Sequence, residues 1–213
     1  MDQERKGHKW FASVYDRMMV SAERSFMKRI REEIIGGARG RVLEVGAGTG
    51  ASFPYYNDHA DEIIATEPDR YMLERARRRA EEAGRPIQVR QAAIEELPFD
   101  DASFDTVVST LVLCSVEDPA RAVSEVRRVL KPSGELRMYE HVRYDHAFGA
   151  FWQDLMTPVW RWFGAGCHPN RDTANIIREA GFEFQQLELL QPVPPIPPMV
   201  LTRPHIKGVA RPS

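Results

Sequence analysis

A short apolar strand that runs directly into closely spaced glycines constrains the fold of this chain more than any other stretch. The strand is predicted over residues 41–45, and the glycines are Gly46, Gly48 and Gly50. Because glycine lacks a Cβ atom, such a loop allows a tight turn and a close approach of the backbone to a ligand. The glycines alone are also compatible with a generic tight turn, so the rest of the sequence has to decide between the two interpretations.

Strand and helix patterns alternate from residue 41 to residue 142. Runs of β-branched and apolar residues predict strands at 41–45, 62–66, 86–91, 104–110 and 135–142. Helical spacings predict helices at 51–56, 70–83 and 119–130, the last two capped by Asp69 and Asp118. This order predicts a parallel, doubly wound sheet with right-handed crossovers. Ligands of such sheets bind at the carboxyl ends of the strands, where the strand order reverses.

The other segments surround this core. Residues 8–35 have a helical apolar pattern, and residues 148–163 form an aromatic-rich helical pattern with a kink expected at Pro158. A short helix at 172–180 and strands at 182–190 and 205–210 complete the chain. With 213 residues, the chain has the size of one domain with an accessory element. We therefore predict a single domain that comprises a helical cap (1–37), a cofactor-binding core (41–142) and a substrate cap with a C-terminal hairpin (143–213).

Composition and charge exclude several classes of protein. Lys and Arg number 29 against 31 Asp and Glu, so the net charge of −2 gives no general electrostatic reason to bind nucleic acid. Two cysteines, Cys114 and Cys167, are too few for a disulfide framework and indicate a reducing compartment, which we take to be the cytoplasm. The longest apolar run, 107–116, is too short for a membrane-spanning helix, and the charged N-terminus does not resemble a signal peptide.

Charge distinguishes two cofactors that use glycine loops of this kind. Read as G-x-G-x-x-A, the loop fits a dinucleotide fingerprint, in which bare amides at a helix N-terminus face a pyrophosphate. Read as E-x-G-x-G-x-G from Glu44, it fits S-adenosylmethionine, because an acidic residue favours the ammonium and sulfonium of the methionyl group. Glu67, about 20 residues further on, is placed to accept hydrogen bonds from ribose hydroxyls of either cofactor. Its alternative role is that of a helix-capping or solvated glutamate.

Three motifs, taken in order, identify a family. E-x-G-x-G-x-G at 44–50, L-P-F-x-D-x-S-F-D at 97–105 and L-K-P-x-G at 130–134 resemble those of class I S-adenosylmethionine-dependent methyltransferases. The resemblance implies a Rossmann-like seven-stranded sheet, mostly parallel with a C-terminal antiparallel hairpin and with helices on both faces. The segments 110–116, 140–142, 151–167 and 203–208 further resemble the thiol S-methyltransferase group of this family.

The resemblance implies a cofactor site residue by residue. The loop from Gly46 to Gly50 would hold the methionyl part, Glu67 the ribose, and Ile94 with Glu95 the adenine. Many class I enzymes have an aspartate where this chain has Ala93, so the backbone of Ile94 and the side chain of Glu95 would replace it. Tyr15 would fold over the cofactor, or else be a core aromatic. The full predicted set of cofactor-binding residues is Tyr15, Glu44, Gly46, Ala47, Gly48, Gly50, Glu67, Pro68, Ala93, Ile94, Glu95, Thr110 and Leu111, of which the last two would face the methionyl carboxylate or ammonium.

A thiol acceptor does not need a dedicated base, because its pKa of about 8.5 already allows some thiolate near neutral pH. The candidates for a catalytic helper are His141, at the end of the fifth strand, and Asp154, in the aromatic segment. The alternatives are that His141 bonds a loop carbonyl or Glu140, and that Asp154 lies on a solvated helix face. We expect no metal site, because Cys167 and His168 have no second ligand pair at a suitable spacing. Cys114 is interpreted as a core residue.

The sequence therefore predicts a methyltransferase that uses S-adenosylmethionine and a small hydrophobic acceptor, most simply a thiol. The aromatic segment 148–163 is interpreted first as a pocket lid, second as a core helix and third as a peripheral membrane contact. An N- or O-methyltransferase acting on a phospholipid headgroup or a quinone-like metabolite is the first alternative. An NAD-dependent oxidoreductase and a non-catalytic cofactor-binding module remain as alternatives of other classes.

Overall fold

The computed structural model describes residues 26–164, 166–192 and 199–213. The strands are β1 (Gly40–Val45), β2 (Ala60–Thr66), β3 (Ile87–Arg90), β4 (Phe104–Thr110), β5 (Leu130–His141), β6 (Phe182–Leu190) and β7 (His205–Pro212). The helices in the described residues are α1 (Lys28–Ile34), α2 (Arg70–Glu82), α3 (Pro119–Val129), α4 (Ala147–Phe163) and α5 (Thr173–Glu179). Short 3-10 turns lie at Phe53–Tyr55 and Met199–Thr202.

The strands form one seven-stranded sheet in the order β3-β2-β1-β4-β5-β7-β6. Strands β1 to β5 pair in parallel, whereas β7 is antiparallel to both β5 and β6. The chain moves outward in one direction from β1 to β3 and in the other from β4, so the order reverses between β1 and β4. The predicted fold is therefore confirmed, and the reversal places the expected ligand site at the carboxyl ends of β1 and β4.

Successive residues of the central strands pack into separate cores on the two faces of the sheet. Leu43 and Val107 belong to a core that includes side chains of α3 and α5. Their neighbours Val42 and Val108 belong to a second core with side chains of α1 and α2. Strands that are buried on both faces have nearly continuous apolar sequence, and this pattern is what predicts them as strands.

Side-chain caps fix the starts of three helices. The carboxylate of Asp69 accepts hydrogen bonds from the amides of Tyr71 and Met72 at α2. Asp118 accepts a hydrogen bond from the amide of Arg121 at α3, as predicted. Asp172 accepts one from the amide of Asn175 at α5. Each cap satisfies an amide that would otherwise lack a partner in the first turn.

Four segments differ from the prediction or extend beyond what the structure describes. The helix expected at 51–56 is only a 3-10 turn, and α4 continues through Pro158. Of the helical pattern at 8–35, the structure describes α1, and residues 193–198 of the proline-rich loop lie outside the described residues. Within the described residues, no helix has both the length and the apolar content needed to cross a membrane.

Candidate functional site

The carboxyl edge of the parallel sheet collects most of the residues predicted from the sequence. The glycine loop follows β1, Glu67 and Pro68 follow β2, and residues 93–95 come after β3. Thr110 ends β4, where Leu111 follows it, and His141 ends β5. Asp154 lies on α4 instead, and Tyr15 lies outside the described residues.

The loop after β1 needs glycine for two different reasons. Gly46 has φ +58°, and a Cβ atom there would lie 2.7 Å from a methyl carbon of Val112. Gly48 also has φ +58°, but a Cβ atom there would meet nothing within 4 Å. The amide of Ala47 is held by the carbonyl of Thr66 at 2.9 Å, which ties the loop to β2. Gly46 is therefore required by packing, whereas Gly48 leaves open space beside the backbone.

Glu67 places its carboxylate against this loop. Its side chain is 7% exposed. One carboxylate oxygen accepts a hydrogen bond of 2.8 Å from the amide of Gly48, and the other accepts one of 2.9 Å from the amide of Asp69. A carboxylate has about four acceptor sites and can therefore bind backbone amides and ligand hydroxyls at the same time. The ribose role of Glu67 remains a prediction, and its location next to the glycine loop favours it.

Glu44 is buried beneath the loop. The hydroxyl of Tyr56 donates a hydrogen bond of 2.9 Å to its carboxylate. Burial raises the pKa of Glu44 to about 7, against the smaller opposing effects of hydrogen bonds from Tyr56 and Ser52. The carboxyl group is therefore close to half ionised near neutral pH, and its predicted interaction with a ligand ammonium remains a prediction.

This pKa has a measurable consequence for stability. The carboxyl group of Glu44 ionises at an ordinary pKa of 4.5 in the unfolded chain but at about 7 in the folded one. A pKa raised by folding stabilises the protein below pH 4.5, and this contribution is lost as the pH rises through 7. We expect Glu44→Gln to gain about 3 kcal/mol relative to the wild type between pH 4.5 and pH 8.

Chemical unfolding of both proteins at pH 5 and pH 8 measures this gain. Glutamine keeps an acceptor for the Tyr56 hydroxyl, and all other titrating groups are common to both proteins. The difference between the two proteins therefore isolates Glu44. Unfolding free energies that change in parallel with pH would contradict the raised pKa.

The residues predicted to flank adenine lie beyond β3. Ile94 is 4% exposed and packs into the core with α3 and α5, so its backbone lies at the surface of that core. The carboxylate of Glu95 accepts a hydrogen bond from the amide of Glu117, and the carbonyl of Pro68 accepts one from the Gln91 side chain. These contacts join the loops after β2, β3 and β4. The adenine role of Ala93, Ile94 and Glu95 stays a prediction.

The end of β4 combines backbone strain with an unpaired hydroxyl. Leu111 has φ +58°, which is uncommon for a residue with a branched side chain, and the carbonyl of Tyr139 holds its amide at 2.8 Å. The hydroxyl oxygen of Thr110 is buried and has no hydrogen-bond partner among the residues that the structure describes. Buried polar atoms in folded proteins are nearly always hydrogen-bonded, so this hydroxyl is available to a partner beyond the described residues, such as a bound ligand.

Glu140 organises the loop that follows β4 and was missed by the sequence reasoning. Its fully buried carboxylate accepts a hydrogen bond from the Ser109 hydroxyl at 2.8 Å. It also accepts hydrogen bonds from the amides of residues 112, 113 and 114 at 3.0, 3.1 and 3.3 Å. Burial raises the pKa of Glu140, and the four donors oppose that change. A charged residue in the apolar strand β5 was the signal that could have revealed it.

Cys114, His141 and Cys167 meet at the same edge. The Nδ1 atom of His141 lies 3.5 Å from the sulfur of Cys114 and 3.4 Å from the sulfur of Cys167. The hydrogen bond between the two thiols lowers the pKa of Cys167 and raises that of Cys114, with burial raising the latter further. Cys167 is therefore the thiolate of the pair. The two cysteines lie 27 and 26 residues from His141 in the chain, so no local motif announced the cluster.

Asp154 is held by an ion pair away from these groups. Both carboxylate oxygens accept hydrogen bonds from the Arg143 guanidinium, at 2.5 and 2.6 Å, and Asn170 donates a third. These contacts, Arg143 first, lower the pKa of Asp154 to about 2. Such a carboxylate is a weak base, so although its catalytic role stays a prediction, the geometry favours a structural one.

Helix α4 has two buried polar residues, Gln153 and Thr157, and one exposed apolar face. Gln153 is fully buried. Its side-chain nitrogen, with two hydrogens, lies within 3.2 Å of the carbonyl oxygens of residues 142, 169 and 201, and its side-chain oxygen accepts from the amide of Tyr144. The exposed apolar side chains of α4 are those of Phe148, Phe151, Trp152, Leu155, Val159 and Trp162. Against the described residues these side chains do not pack as a core, so the core-helix interpretation does not account for them.

Comparison with known proteins connects this site to characterised chemistry. A family model described as a methyltransferase domain matches residues 43–138. Thiol S-methyltransferase TMT1B of Homo sapiens is 34% identical over 202 residues, which cover 92% of this chain and 80% of that protein. Phosphatidylethanolamine N-methyltransferase of Cereibacter sphaeroides is 43% identical over 108 residues, which cover 50% of this chain and 53% of that protein.

The solved structures show the same fold at lower identity. A methyltransferase of Thermotoga maritima, described as S-adenosylmethionine-dependent and as a possible histamine N-methyltransferase, superposes with a TM-score of 0.69. It is 24% identical, and the match covers 95% of this chain and 96% of that one. The likeness extends over the cofactor edge and the C-terminal strands alike.

Proposed function

The chain belongs to the class I S-adenosylmethionine-dependent methyltransferases, and we propose that the acceptor of the methyl group is a small hydrophobic thiol. The observation that carries the proposal is the 34% identity to a thiol S-methyltransferase over 92% of the chain. That match extends beyond the cofactor loops into the segments after β4 and β5, where an acceptor would lie. It therefore bears on the acceptor as well as on the cofactor.

The residues at the carboxyl edge fit the cofactor. Open space beside Gly48 and the unpaired hydroxyl of Thr110 provide room and a polar partner for a bound molecule. We propose that the glycine loop and Glu44 hold the methionyl part and that Glu67 holds the ribose. When bound, S-adenosylmethionine supplies an activated methyl group, so the protein has mainly to orient the acceptor and exclude water.

The carboxylates of Glu140 and Asp154 already have other hydrogen-bond partners. This also supports a thiol as the acceptor. Glu140 is occupied by four donors, and Asp154 is paired with Arg143 and Asn170. Amine and hydroxyl acceptors need help with deprotonation more than a thiol does. A thiol with a pKa of about 8.5 requires only a modest shift to react as the thiolate. His141, beside two sulfur atoms, is the group that we propose to assist it.

An acceptor panel tests this function directly. We expect alkyl thiols to gain about 14 Da in mass spectrometry, one methyl group replacing one proton, while alkyl amines, phenols and ethanolamine lipids stay unchanged. The measurement compares initial rates at equal acceptor concentrations, with heat-treated enzyme as the blank. Methylated amines together with unmodified thiols would contradict the proposed acceptor.

A phospholipid headgroup is the second candidate acceptor. It is favoured by the 43% identity to a phosphatidylethanolamine N-methyltransferase, which covers half of this chain, and by the exposed aromatic face of α4. Aromatic and aliphatic side chains of that kind partition into the headgroup layer of a bilayer. The panel therefore includes vesicles of phosphatidylethanolamine, and a methylated headgroup would favour this alternative.

The same chemistry suggests where the protein works and how it is organised. The thiols of Cys114 and Cys167 are free although their sulfur atoms lie within 4.8 Å of each other, which favours a reducing compartment such as the cytoplasm. Because β7 and β6 complete the sheet that β1 begins, we propose a single domain for the whole chain. The lid role of 148–163 remains a proposal.

A further inference from the structure

The ligand atoms of Cys114, His141 and Cys167 lie close enough together to share one metal ion. The two sulfur atoms and the imidazole Nδ1 all lie within 4.8 Å of one another. The cysteines are buried and His141 is half-buried, so the cluster lies at the boundary between the core and the carboxyl edge. Among the described residues, the Nδ1 atom of His141 has no hydrogen-bond partner other than these two sulfur atoms.

The two distances from His141 Nδ1 to the cysteine sulfur atoms already match the separation of ligands in a tetrahedral site. In zinc sites the metal lies about 2.3 Å from thiolate sulfur and about 2.0–2.1 Å from imidazole nitrogen. Tetrahedral angles then separate a sulfur ligand from a nitrogen ligand by about 3.6 Å. The observed separations from His141 Nδ1 are 3.5 Å to Cys114 and 3.4 Å to Cys167. The two sulfur atoms, which lie within 4.8 Å of each other, would have to be about 3.8 Å apart, so side-chain movements of about 1 Å or less would be needed to coordinate a cation.

Backbone hydrogen bonds hold the three ligands in place. The amide of Cys114 is bonded to the Glu140 carboxylate, and the residue after Glu140 is His141 itself. The carbonyl of Cys114 accepts a hydrogen bond of 2.7 Å from the amide of His168, which joins the segments that carry the two cysteines. Arg171 donates to the carbonyls of Leu113 and Val116 and so fixes the loop from its other side. Metal sites depend on supporting contacts of this kind.

We propose that Cys114, His141 and Cys167 form a binding site for a thiophilic divalent cation of the Zn²⁺ type, with its fourth position open. Sulfur and imidazole ligands select such cations over Mg²⁺ and Ca²⁺, which take oxygen ligands. Two thiolates and a neutral imidazole carry a charge of −2 that a divalent cation neutralises. Three protein ligands with an open position are the arrangement of catalytic rather than structural zinc sites.

The open position suggests a use that rests on the proposed function. The site lies at the carboxyl edge of β4 and β5, next to the loops assigned to the cofactor. An acceptor thiol would bind the cation through sulfur and release its proton to solvent, since metal-bound thiols are deprotonated. The site would then keep the acceptor as a thiolate, and His141 would assist deprotonation as a ligand of the cation instead of as a general base.

Metal analysis of the full-length protein tests the site independently of methyl transfer. We expect protein produced with added zinc and purified without chelator to carry one Zn²⁺ per chain by elemental mass spectrometry. Cys114→Ser and Cys167→Ser should each lose it, whereas His59→Asn, a variant in the exposed turn before β2, should keep it. Zinc-free wild-type protein with reduced thiols, a Cys114–Cys167 disulfide, or equal zinc in all variants would overturn the proposal.

Cobalt substitution keeps the proposal testable if a cysteine variant does not fold. We expect Co²⁺ added to chelator-treated wild-type protein to give a thiolate-to-cobalt charge-transfer band and tetrahedral d–d bands, both abolished by Zn²⁺. An alkyl thiol should shift the d–d bands by occupying the fourth position. Absence of the charge-transfer band would overturn the site, and bands unchanged by the thiol would overturn the open position. Metal binding without thiol methylation would contradict the proposed function alone, and thiol methylation at full rate by metal-free protein would contradict only the role of the metal.

Discussion

Replacement of Glu67 by alanine is expected to weaken binding of S-adenosylmethionine roughly a hundredfold. The carboxylate is nearly buried and lies against the glycine loop, where it accepts a hydrogen bond from the amide of Gly48. Hydrogen bonds to a charged group contribute about 1.5–3 kcal/mol each, so loss of those from two ribose hydroxyls removes about 3 kcal/mol. At about 1.4 kcal/mol per factor of ten, that is a factor of roughly a hundred in Kd, which isothermal titration calorimetry can measure.

A second glutamate, on the strand that Glu67 follows, provides the matched control. Glu62 is about 40% exposed and pairs with Arg41 at 2.7 Å, so Glu62→Ala removes one carboxylate from β2 without touching the glycine loop. Its affinity for S-adenosylmethionine should stay within a factor of about two of the wild type, since exposed ion pairs contribute about 0–1 kcal/mol. A folded Glu67→Ala protein with wild-type affinity would reject the ribose role.

The fold, and the placement of the candidate residues at one edge of the sheet, could be predicted because their signals are local. Each strand of the parallel sheet is a short apolar run, and each candidate residue follows such a run directly, as Gly46 follows β1 and Glu67 follows β2. Parallel strands bring their carboxyl ends to one edge, so the order of motifs along the chain becomes a spatial cluster. The resemblance to a family added the hairpin of β6 and β7, which periodicity alone does not orient.

The rest of the site depends on contacts between distant segments, which no local pattern encodes. Cys114 and Cys167 each look like isolated apolar residues in the sequence. The pairing of β4 with β5 brings Cys114 to His141, and the hydrogen bond from the His168 amide to the Cys114 carbonyl brings Cys167 to the same place. Gln153 reads as one polar residue of an amphipathic helix, yet it is fully buried and contacts four backbone groups. Tertiary hydrogen bonding decides the environment of each of these side chains.

Replacement of Glu140 by alanine is expected to lower the free energy of unfolding by roughly 3–5 kcal/mol, because several buried donors lose the acceptor that its carboxylate provides. The carboxylate accepts from the hydroxyl of Ser109 and from the amides of residues 112, 113 and 114, and its side chain is fully buried. No water can replace it at a buried position without a cavity of suitable size and polarity. Denaturant unfolding monitored by tryptophan fluorescence measures the loss.

Glu135 provides the control for Glu140, because its carboxylate pairs with side chains instead of backbone amides. Glu135 lies on the same strand and bonds Arg137 and Arg211, at 2.8 and 3.2 Å. Arg137 keeps its hydrogen bonds to the carbonyls of Glu33 and Ile34, and Arg211 is half exposed, so Glu135→Ala should cost less than Glu140→Ala, about 1–2 kcal/mol. Glu140→Gln keeps the shape but places amide donors against backbone N–H groups, and its cost should fall between the two alanine variants.

Hydrogen exchange of the amides at residues 112–114 should accelerate in Glu140→Gln and not in Glu135→Ala, since the β4 loop would open locally before the protein unfolds. Equal costs for Glu140→Ala and Glu135→Ala would mean that the loop holding Cys114 is fixed by other contacts.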